Sequence, residues 1–123
     1  MTNPTDEFFD QLGHRGHEPL VARVAGVMRF DIVHRGETDS YMLTIDRGHL
    51  SVTRDSGPAD CVIRADRRVM DSIVTGEANP LAALLRGALS AEGNPEMMVI
   101  FQRLLPSPAN ARRANAVETV AGW

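Results

Sequence analysis

The sequence predicts a two-layer α+β domain, in which helices cover one face of a five-stranded, mainly antiparallel sheet. Residues 24–65 contain four stretches of alternating apolar and polar side chains, which is the period of a strand with one buried face. Short polar turns separate these stretches, as they do between antiparallel neighbours. Residues 66–105 have mainly helical spacing, with one short return to alternation. Helices that follow a sheet along the chain typically pack on one of its faces.

The chain opens with a predicted helix over residues 6–12. Phe8, Phe9 and Leu12 fall on one face of this helix and are expected to be buried. A polar loop and a short helical turn ending near Ala22 then lead to the first strand.

Four strands are predicted next, joined by turns at residues 35–39, 46–48 and 55–58. Because three turns link four successive strands, the pattern predicts an antiparallel meander. The side chains expected on the buried face are Met28, Phe30, Ile32, Tyr41, Leu43, Ile45, Leu50, Val52, Cys61, Ile63 and Ala65. The side chains expected on a solvated outer face are Arg29, Asp31, Thr44, Ser51 and Arg64.

The second half of the chain carries the start signals of three helices. Asp66 is the predicted N-cap of the first. Asn79–Pro80 and Asn94–Pro95 each place a capping side chain directly before a proline, which is the preferred order at a helix start. The last helix is expected to end near Leu105. Between the last two helices, residues 88–92 alternate again and are predicted to form the fifth strand.

Composition narrows the possible functions. The 123 residues suit one domain, predicted at residues 1–106, with residues 107–123 as a tail that is either a frayed helix or disordered. The net charge of −3 argues against a nucleic-acid partner, since phosphate binding needs a basic excess. No stretch approaches the ~20 apolar residues that span a bilayer. The polar, acidic start and the single cysteine favour a cytoplasmic protein.

Few residues suggest reactive chemistry. His14 and His17 have the spacing of two metal ligands, but they fall in a predicted loop without a third ligand nearby, so no metal is expected. Cys61 lies on an inward face and is interpreted as a small buried hydrophobe. Arg67 and Arg68 open a helix and are either a solvated pair or a patch for anionic lipid headgroups or an acidic carrier partner. The spacing indicates no catalytic triad or phosphate-binding loop, and no cofactor is expected.

One stretch resembles a known family. Residues 76–94 read Gly-Glu-Ala-Asn-Pro-Leu-Ala-Ala-Leu-Leu-Arg-Gly-Ala-Leu-Ser-Ala-Glu-Gly-Asn, which is similar to the signature of the sterol carrier protein (non-specific lipid transfer) domain family. Ala59–Asp60 and the turn at residues 46–48 add weaker matches. The order of predicted elements fits this family from Phe8 to Leu105. This sequence departs from the family at Ala88 and Ala91, which are small where a lysine and a larger aliphatic residue are common.

The resemblance implies a non-catalytic carrier that holds an apolar molecule, such as a lipid, sterol, fatty acyl chain or isoprenoid, in a tunnel between the sheet and the helices. It does not identify the ligand. Membrane contact is expected to be transient at most. The inward residues expected to line the tunnel and bind the ligand are Phe30, Leu43, Ile63, Leu84, Leu89, Met97, Ile100 and Phe101.

Two other functions remain open. The domain would be an accessory or scaffolding subunit if its partner were an enzyme of lipid, sterol or quinone metabolism. It would itself be an enzyme if Asp31 or Tyr41 served as a polar group acting on a hydrophobic substrate inside the cavity.

Overall fold

The computed structural model describes residues 3–105, which form four α-helices, one 3₁₀ turn and five strands. In chain order the elements are α1 (Pro4–Arg15), the 3₁₀ turn (Pro19–Val21), β1 (Ala25–His34), β2 (Glu37–Asp46), β3 (His49–Thr53), β4 (Cys61–Asp66), α2 (Arg67–Val74), α3 (Pro80–Leu85), β5 (Leu89–Gly93) and α4 (Glu96–Leu104). The predicted α+β class is confirmed. The proposed tail, residues 107–123, lies outside the described residues.

The sheet has the strand order β3-β2-β1-β4-β5, so the prediction of a simple meander is wrong at its fourth strand. β4 pairs in parallel with β1, whereas the other three pairings are antiparallel. Residues 54–60 carry the chain from β3 to the far side of β1 along the outer face. Arg29 donates to the carbonyls of Ser56 and Gly57, at 3.1 and 2.9 Å. The backbone N–H of Asp60 then donates to Val27 at 2.8 Å, which sets β4 beside β1.

Three of the helices start at Asn–Pro pairs. Asn3 accepts from the backbone N–H of Asp6 at 2.9 Å, so α1 begins at Pro4 and is longer than predicted. Asn79 accepts from two backbone N–H groups of α3, and Asn94 accepts from the N–H of Glu96 at the start of α4. Asp66 precedes α2 without a capping hydrogen bond from its side chain. Asp66 and the Asn–Pro pairs therefore all mark helix starts in this chain, although Asp66 does so without a hydrogen bond from its side chain.

The core lies between the sheet and the four helices, as the alternation predicted. Met28, Phe30 and Ile32 of β1 face inward, opposite Cys61, Ile63 and Ala65 of β4. From the helix side, buried apolar residues of all four helices complete this single cluster: Phe8, Phe9, Leu12, Met70, Ile73, Val74, Ala83, Met97, Met98, Phe101 and Leu104. No helix within residues 3–105 is both long and apolar enough to cross a bilayer.

The predicted outer face of the sheet is exposed at three of its five residues, namely Thr44, Ser51 and Arg64. Asp31 is only 7% exposed, because the Arg29 guanidinium pairs with both of its carboxylate oxygens, at 3.1 and 3.2 Å. The Ser40 hydroxyl also donates to Asp31, at 2.7 Å. Since Arg29 also holds the crossing segment, this ion pair ties the β3–β4 connection to the sheet. A buried charge that is paired in this way is a structural element of the fold.

Candidate functional site

An apolar cavity of about 180 Å³ lies at one flank of the domain, between α3, β5 and the start of α4. Cys61 of β4 forms part of its inner wall. Leu84 and Ala91 contribute from α3 and β5, and Met98 covers it from α4. The remaining lining residues lie nearer the surface, namely Leu81, Glu92, Gly93, Asn94, Pro95 and Val99.

The local sequence explains why space remains at this position. Ala91 stands opposite Ile63 in the sheet and presents only a methyl group to the helices. Gly93 ends β5 at a φ of +98°, and a Cβ there would come within 2.2 Å of the Asp60 carbonyl oxygen. Only glycine allows this close approach, which turns the chain into α4. Met98 lines the cavity together with the small side chain of Ala91.

The chemistry of the cavity is that of an apolar binding site. Cys61 is 1% exposed, and burial raises the pKa of its thiol, so the thiol remains protonated and unreactive at neutral pH. The wall side chains of Leu84, Ala91 and Met98 offer only van der Waals contact. Polar groups occur at the opening, where Glu92 is exposed. This arrangement suits a ligand recognised by shape and hydrophobicity.

The eight residues predicted to bind the ligand do not all surround this cavity. Leu84 lines it. Ile100 is half-buried and packs against the core. The other six are buried core residues, namely Phe30, Leu43, Ile63, Leu89, Met97 and Phe101. Their role in ligand binding remains a prediction.

The sequence prediction of binding residues omitted Cys61, Ala91 and Met98. Two of them had been noted for another property: Cys61 as a buried hydrophobe and Ala91 as unusually small for the family. The combination of a small residue on β5 with a methionine at the start of α4 is the signal that points to the cavity.

A second concavity, a groove of about 500 Å³, runs between α1 and β3 and is polar. At one end the Tyr41 hydroxyl donates to Asp6, and it accepts from Arg54 at 2.7 Å. The Tyr41 ring stacks on Phe9 with ring centroids 4.4 Å apart. Burial, followed by the hydrogen bond to Asp6, raises the pKa of Tyr41. Its hydroxyl therefore stays protonated and is a poor general base at neutral pH.

The two polar groups considered for catalysis are separated by the sheet. Tyr41 lies on the helix-covered face, whereas Asp31 lies on the outer face in its ion pair with Arg29. Neither residue lines the apolar cavity. The geometry therefore brings no pair of acid and base side chains to the apolar site.

The other charged candidates have structural partners. His14 hydrogen-bonds the Asp10 carbonyl at 2.7 Å, and the backbone of His17 forms an isolated β-bridge with that of His49. Among residues 3–105, no three potential ligands converge on a metal position. Arg67 donates to Asp39 at 2.7 Å and is mostly buried, so it is not half of a solvated arginine pair.

The sequence and the fold of this chain are similar to those of known proteins. Residues 9–106 match the model of the SCP-2 sterol transfer family. Sterol carrier protein 2 of Gallus gallus is 30% identical over 98 residues, which are 77% of this chain and 18% of that protein. The chain thus spans about a fifth of the length of the curated relatives it matches.

Solved structures share the fold. A sterol carrier protein 2 from Aedes aegypti, in complex with the C16 fatty acid palmitate, aligns with a TM-score of 0.69 at 19% identity, covering 86% of this chain and all of that one. The sec-alkylsulfatase Pisa1 from Pseudomonas sp. aligns with a TM-score of 0.65 at 24% identity, covering 83% of this chain and 16% of the sulfatase.

Proposed function

Because this chain belongs to the SCP-2 sterol transfer family, we propose that it binds a long-chain apolar molecule at the cavity between α3, β5 and α4 and delivers it without changing it chemically. The observation that carries this proposal is the composition of the cavity wall. Cys61, Leu84, Ala91 and Met98 offer an acyl chain contact on several sides and no reactive group.

The size of the cavity sets how a ligand would enter. Sites for small molecules usually measure about 300–1,000 Å³, so 180 Å³ accommodates only part of a long chain. The rest requires the wall to open. Met98 is the side chain suited to this movement, since methionine is unbranched and adapts its shape. Movement of Met98 and Leu84 would admit the chain toward Ile63 and Leu89, which were predicted to line the tunnel.

The energetics are compatible with a carrier. Burying roughly 300 Å² of apolar ligand surface contributes about 7 kcal/mol. Loss of translational and rotational freedom reduces this by several kcal/mol. The resulting dissociation constant is micromolar or weaker. A carrier must release its ligand, so moderate affinity suits it. The palmitate complex of the structurally similar Aedes aegypti protein supports an acyl chain as the ligand class.

The test is uptake of a fluorescent fatty acid by the purified protein and by two matched variants. Ala91→Phe fills the cavity and is expected to weaken binding by at least about tenfold, which corresponds to about 1.4 kcal/mol. Ala82→Phe adds the same ring at an exposed position of α3 that does not line the cavity, and it should bind as the parent does. Equal binding by Ala91→Phe and the parent would place the ligand elsewhere.

An accessory role is the second candidate, and the relative lengths of the matched proteins favour it. The same fold occupies only 16% of the alkylsulfatase and 18% of the curated carrier proteins. In that case the domain would associate with an enzyme acting on apolar substrates. Failure of the parent protein to take up fatty-acid and sterol probes, together with co-purification of one enzyme, would favour this role.

A further inference from the structure

The polar groove of about 500 Å³ between α1 and β3 lies at the opposite edge of the sheet from the apolar cavity. Among the strands of residues 3–105, β3 pairs only with β2, so its other side is an edge of the sheet. Such an edge carries backbone N–H and C=O groups that can pair with another extended chain. The proposed carrier function makes no use of this groove.

The chain itself covers the first part of this edge. Residues 16–18 run antiparallel to the start of β3. The backbone N–H of Leu50 donates to the carbonyl of Gly16 at 2.7 Å, and the N–H of Glu18 donates to the carbonyl of Gly48 at 2.6 Å. The edge of β3 therefore already accepts an extended, antiparallel backbone.

The next position along the edge is Val52. The direction of the backbone groups alternates along a strand, and the N–H of Leu50 points away from β2. The N–H and C=O of Val52, two residues further, therefore also point away from β2. Helix α1 ends at Arg15, so the covering segment stops short of this position. Val52 lines the polar groove, which is the space that a pairing chain would occupy.

The sequence of β3 does not oppose such pairing. Edge strands are often protected by lysine, by proline or by a bulge. β3 reads His-Leu-Ser-Val-Thr and contains neither lysine nor proline. Its register with β2 runs without a bulge from His49 to Thr53. The open part of the edge is therefore regular enough to receive another strand.

Charges in the groove indicate which chain it fits. Asp6 and Asp10 line it from α1, and Arg54 lines it from the end of β3. Arg54 lies 3.4 Å from Asp6, so these two charges offset each other. The Asp10 side chain is 74% exposed, and its neighbour at 3.8 Å is His14, which is charged only when protonated. Asp10 is therefore an acceptor for a lysine or arginine side chain of a bound segment.

We propose that the polar groove binds an extended, basic segment of a partner protein, which adds antiparallel to the edge of β3. The backbone of the segment pairs with the N–H and C=O of Val52, and a lysine or arginine side chain reaches Asp10. Backbone pairing gives complexes of this kind their affinity, and alternate side chains give specificity. The short open edge makes binding weak and reversible. The inference is independent of the proposed carrier function, because the groove and the apolar cavity share no lining residue.

The test selects peptides from a phage-displayed library of random heptapeptides on the immobilised protein. The selected peptides are synthesised, and their dissociation constants are measured for the parent and for two pairs of variants. Val52→Pro removes the outward N–H but no hydrogen bond to β2, and edge strands tolerate proline. It should weaken binding by at least about tenfold, through the lost hydrogen bond and the added ring. Val52→Ala keeps the N–H and should bind as the parent does.

The second pair of variants tests the charge. Asp10→Lys and Glu7→Lys make the same charge change on α1, but Glu7 is exposed and does not line the groove. Asp10→Lys should weaken binding of the basic peptides about fivefold, whereas Glu7→Lys should bind as the parent does. Circular dichroism shows whether each variant is folded. If Val52→Pro does not fold, the comparison of Asp10→Lys with Glu7→Lys decides.

Hydrogen exchange measured by NMR gives a readout that needs no variant. The backbone amide of Val52 should exchange rapidly in the free protein and slowly with a selected peptide bound. A library that yields no binding peptide, or peptides that bind Val52→Pro and Asp10→Lys as tightly as the parent, overturns the proposal. A dimer that Val52→Pro dissociates assigns the edge to a second copy of the chain and also overturns it. Failure of the parent to take up fatty acid would overturn the carrier function alone.

Discussion

Two parts of one core differ in how they fill space. The aromatic half consists of Phe8, Phe9, Phe30, Tyr41 and Phe101, whose neighbouring rings lie 4.4–6.3 Å apart. The cavity half consists of Cys61, Leu84, Ala91 and Met98, and it encloses about 180 Å³. Both halves pack against the same sheet.

The difference follows from side-chain shape. Aromatic rings have few rotatable bonds and pack in preferred stacked or edge-on geometries, which leaves little free volume. Alanine and cysteine leave space, and methionine can change its rotamer to fill or vacate it. The aromatic half therefore holds the sheet and α1 together, and we expect the cavity half to open without disturbing it. Under the proposed function, stability would reside mainly in the aromatic half of the core and ligand binding in the cavity half.

The strongest test of this separation compares two truncations. Phe30→Ala removes a fully buried ring that contacts Phe9 and Phe101, and it should lower the free energy of unfolding by about 3–5 kcal/mol. Met98→Ala enlarges an existing cavity and should cost about 2 kcal/mol, the lower end for such a change. Urea denaturation followed by circular dichroism measures both. Equal losses in the free energy of unfolding would mean that the two halves contribute alike to stability. Stability would then not reside mainly in the aromatic half.

Alternation in the sequence was sufficient to predict which face of each strand is buried, but not which strands are neighbours. Met28, Phe30 and Ile63 face inward as expected. The period of two reports the orientation of a side chain relative to the sheet, and it is the same for a parallel or an antiparallel neighbour. The parallel pairing of β4 with β1 depends on where the segment after β3 is held, and the Arg29 contact that holds it joins residues 27 positions or more apart.

The cavity was harder to predict than the fold. Inward apolar residues could be identified from the sequence, and Leu84 among them does line the cavity. Whether inward residues pack tightly or leave space depends on how α3 and α4 approach the sheet, which a local pattern does not encode. Ala91 was the informative residue, because a small side chain at an inward position of a strand leaves space that its neighbours must fill or leave open.

Ligand binding should stabilise the protein in a way that distinguishes the two halves. With free fatty acid about a hundredfold above its dissociation constant, the free energy of unfolding should rise by about 3 kcal/mol. Backbone amides of residues 80–99 should exchange hydrogen more slowly in the bound protein, while those of α1 change little. Exchange measured by mass spectrometry tests this, with Ala91→Phe as the control that should gain neither effect. Protection concentrated in α1 would move the ligand to the aromatic half.

The smallest expected effect concerns Tyr41, which joins the aromatic half to the polar groove beside β3. Burial and the hydrogen bond to Asp6 raise the pKa of its hydroxyl in the folded protein. In the unfolded chain a tyrosine ionises near pH 10. Above about pH 10 the unfolded chain releases this proton while the folded protein retains it, so stability falls as the pH rises toward the folded pKa. The loss from one such group is at most about 1.4 kcal/mol per pH unit.

Tyr41→Phe should lower stability slightly at neutral pH, because Asp6 loses a donor and Arg54 loses an acceptor. Its free energy of unfolding should then decline less steeply than that of the parent above about pH 10. Burial also raises the pKa of Cys61, so this thiol lowers the free energy of unfolding from about pH 8.5 upward. Because the parent and Tyr41→Phe both contain Cys61, this contribution is the same in the two proteins. Urea unfolding at intervals from neutral to alkaline pH gives the two slopes. Identical pH dependence of the two free energies of unfolding would show that the Tyr41 hydroxyl is open to solvent. Tyr41 would then not belong to the aromatic half, which would end at Phe9.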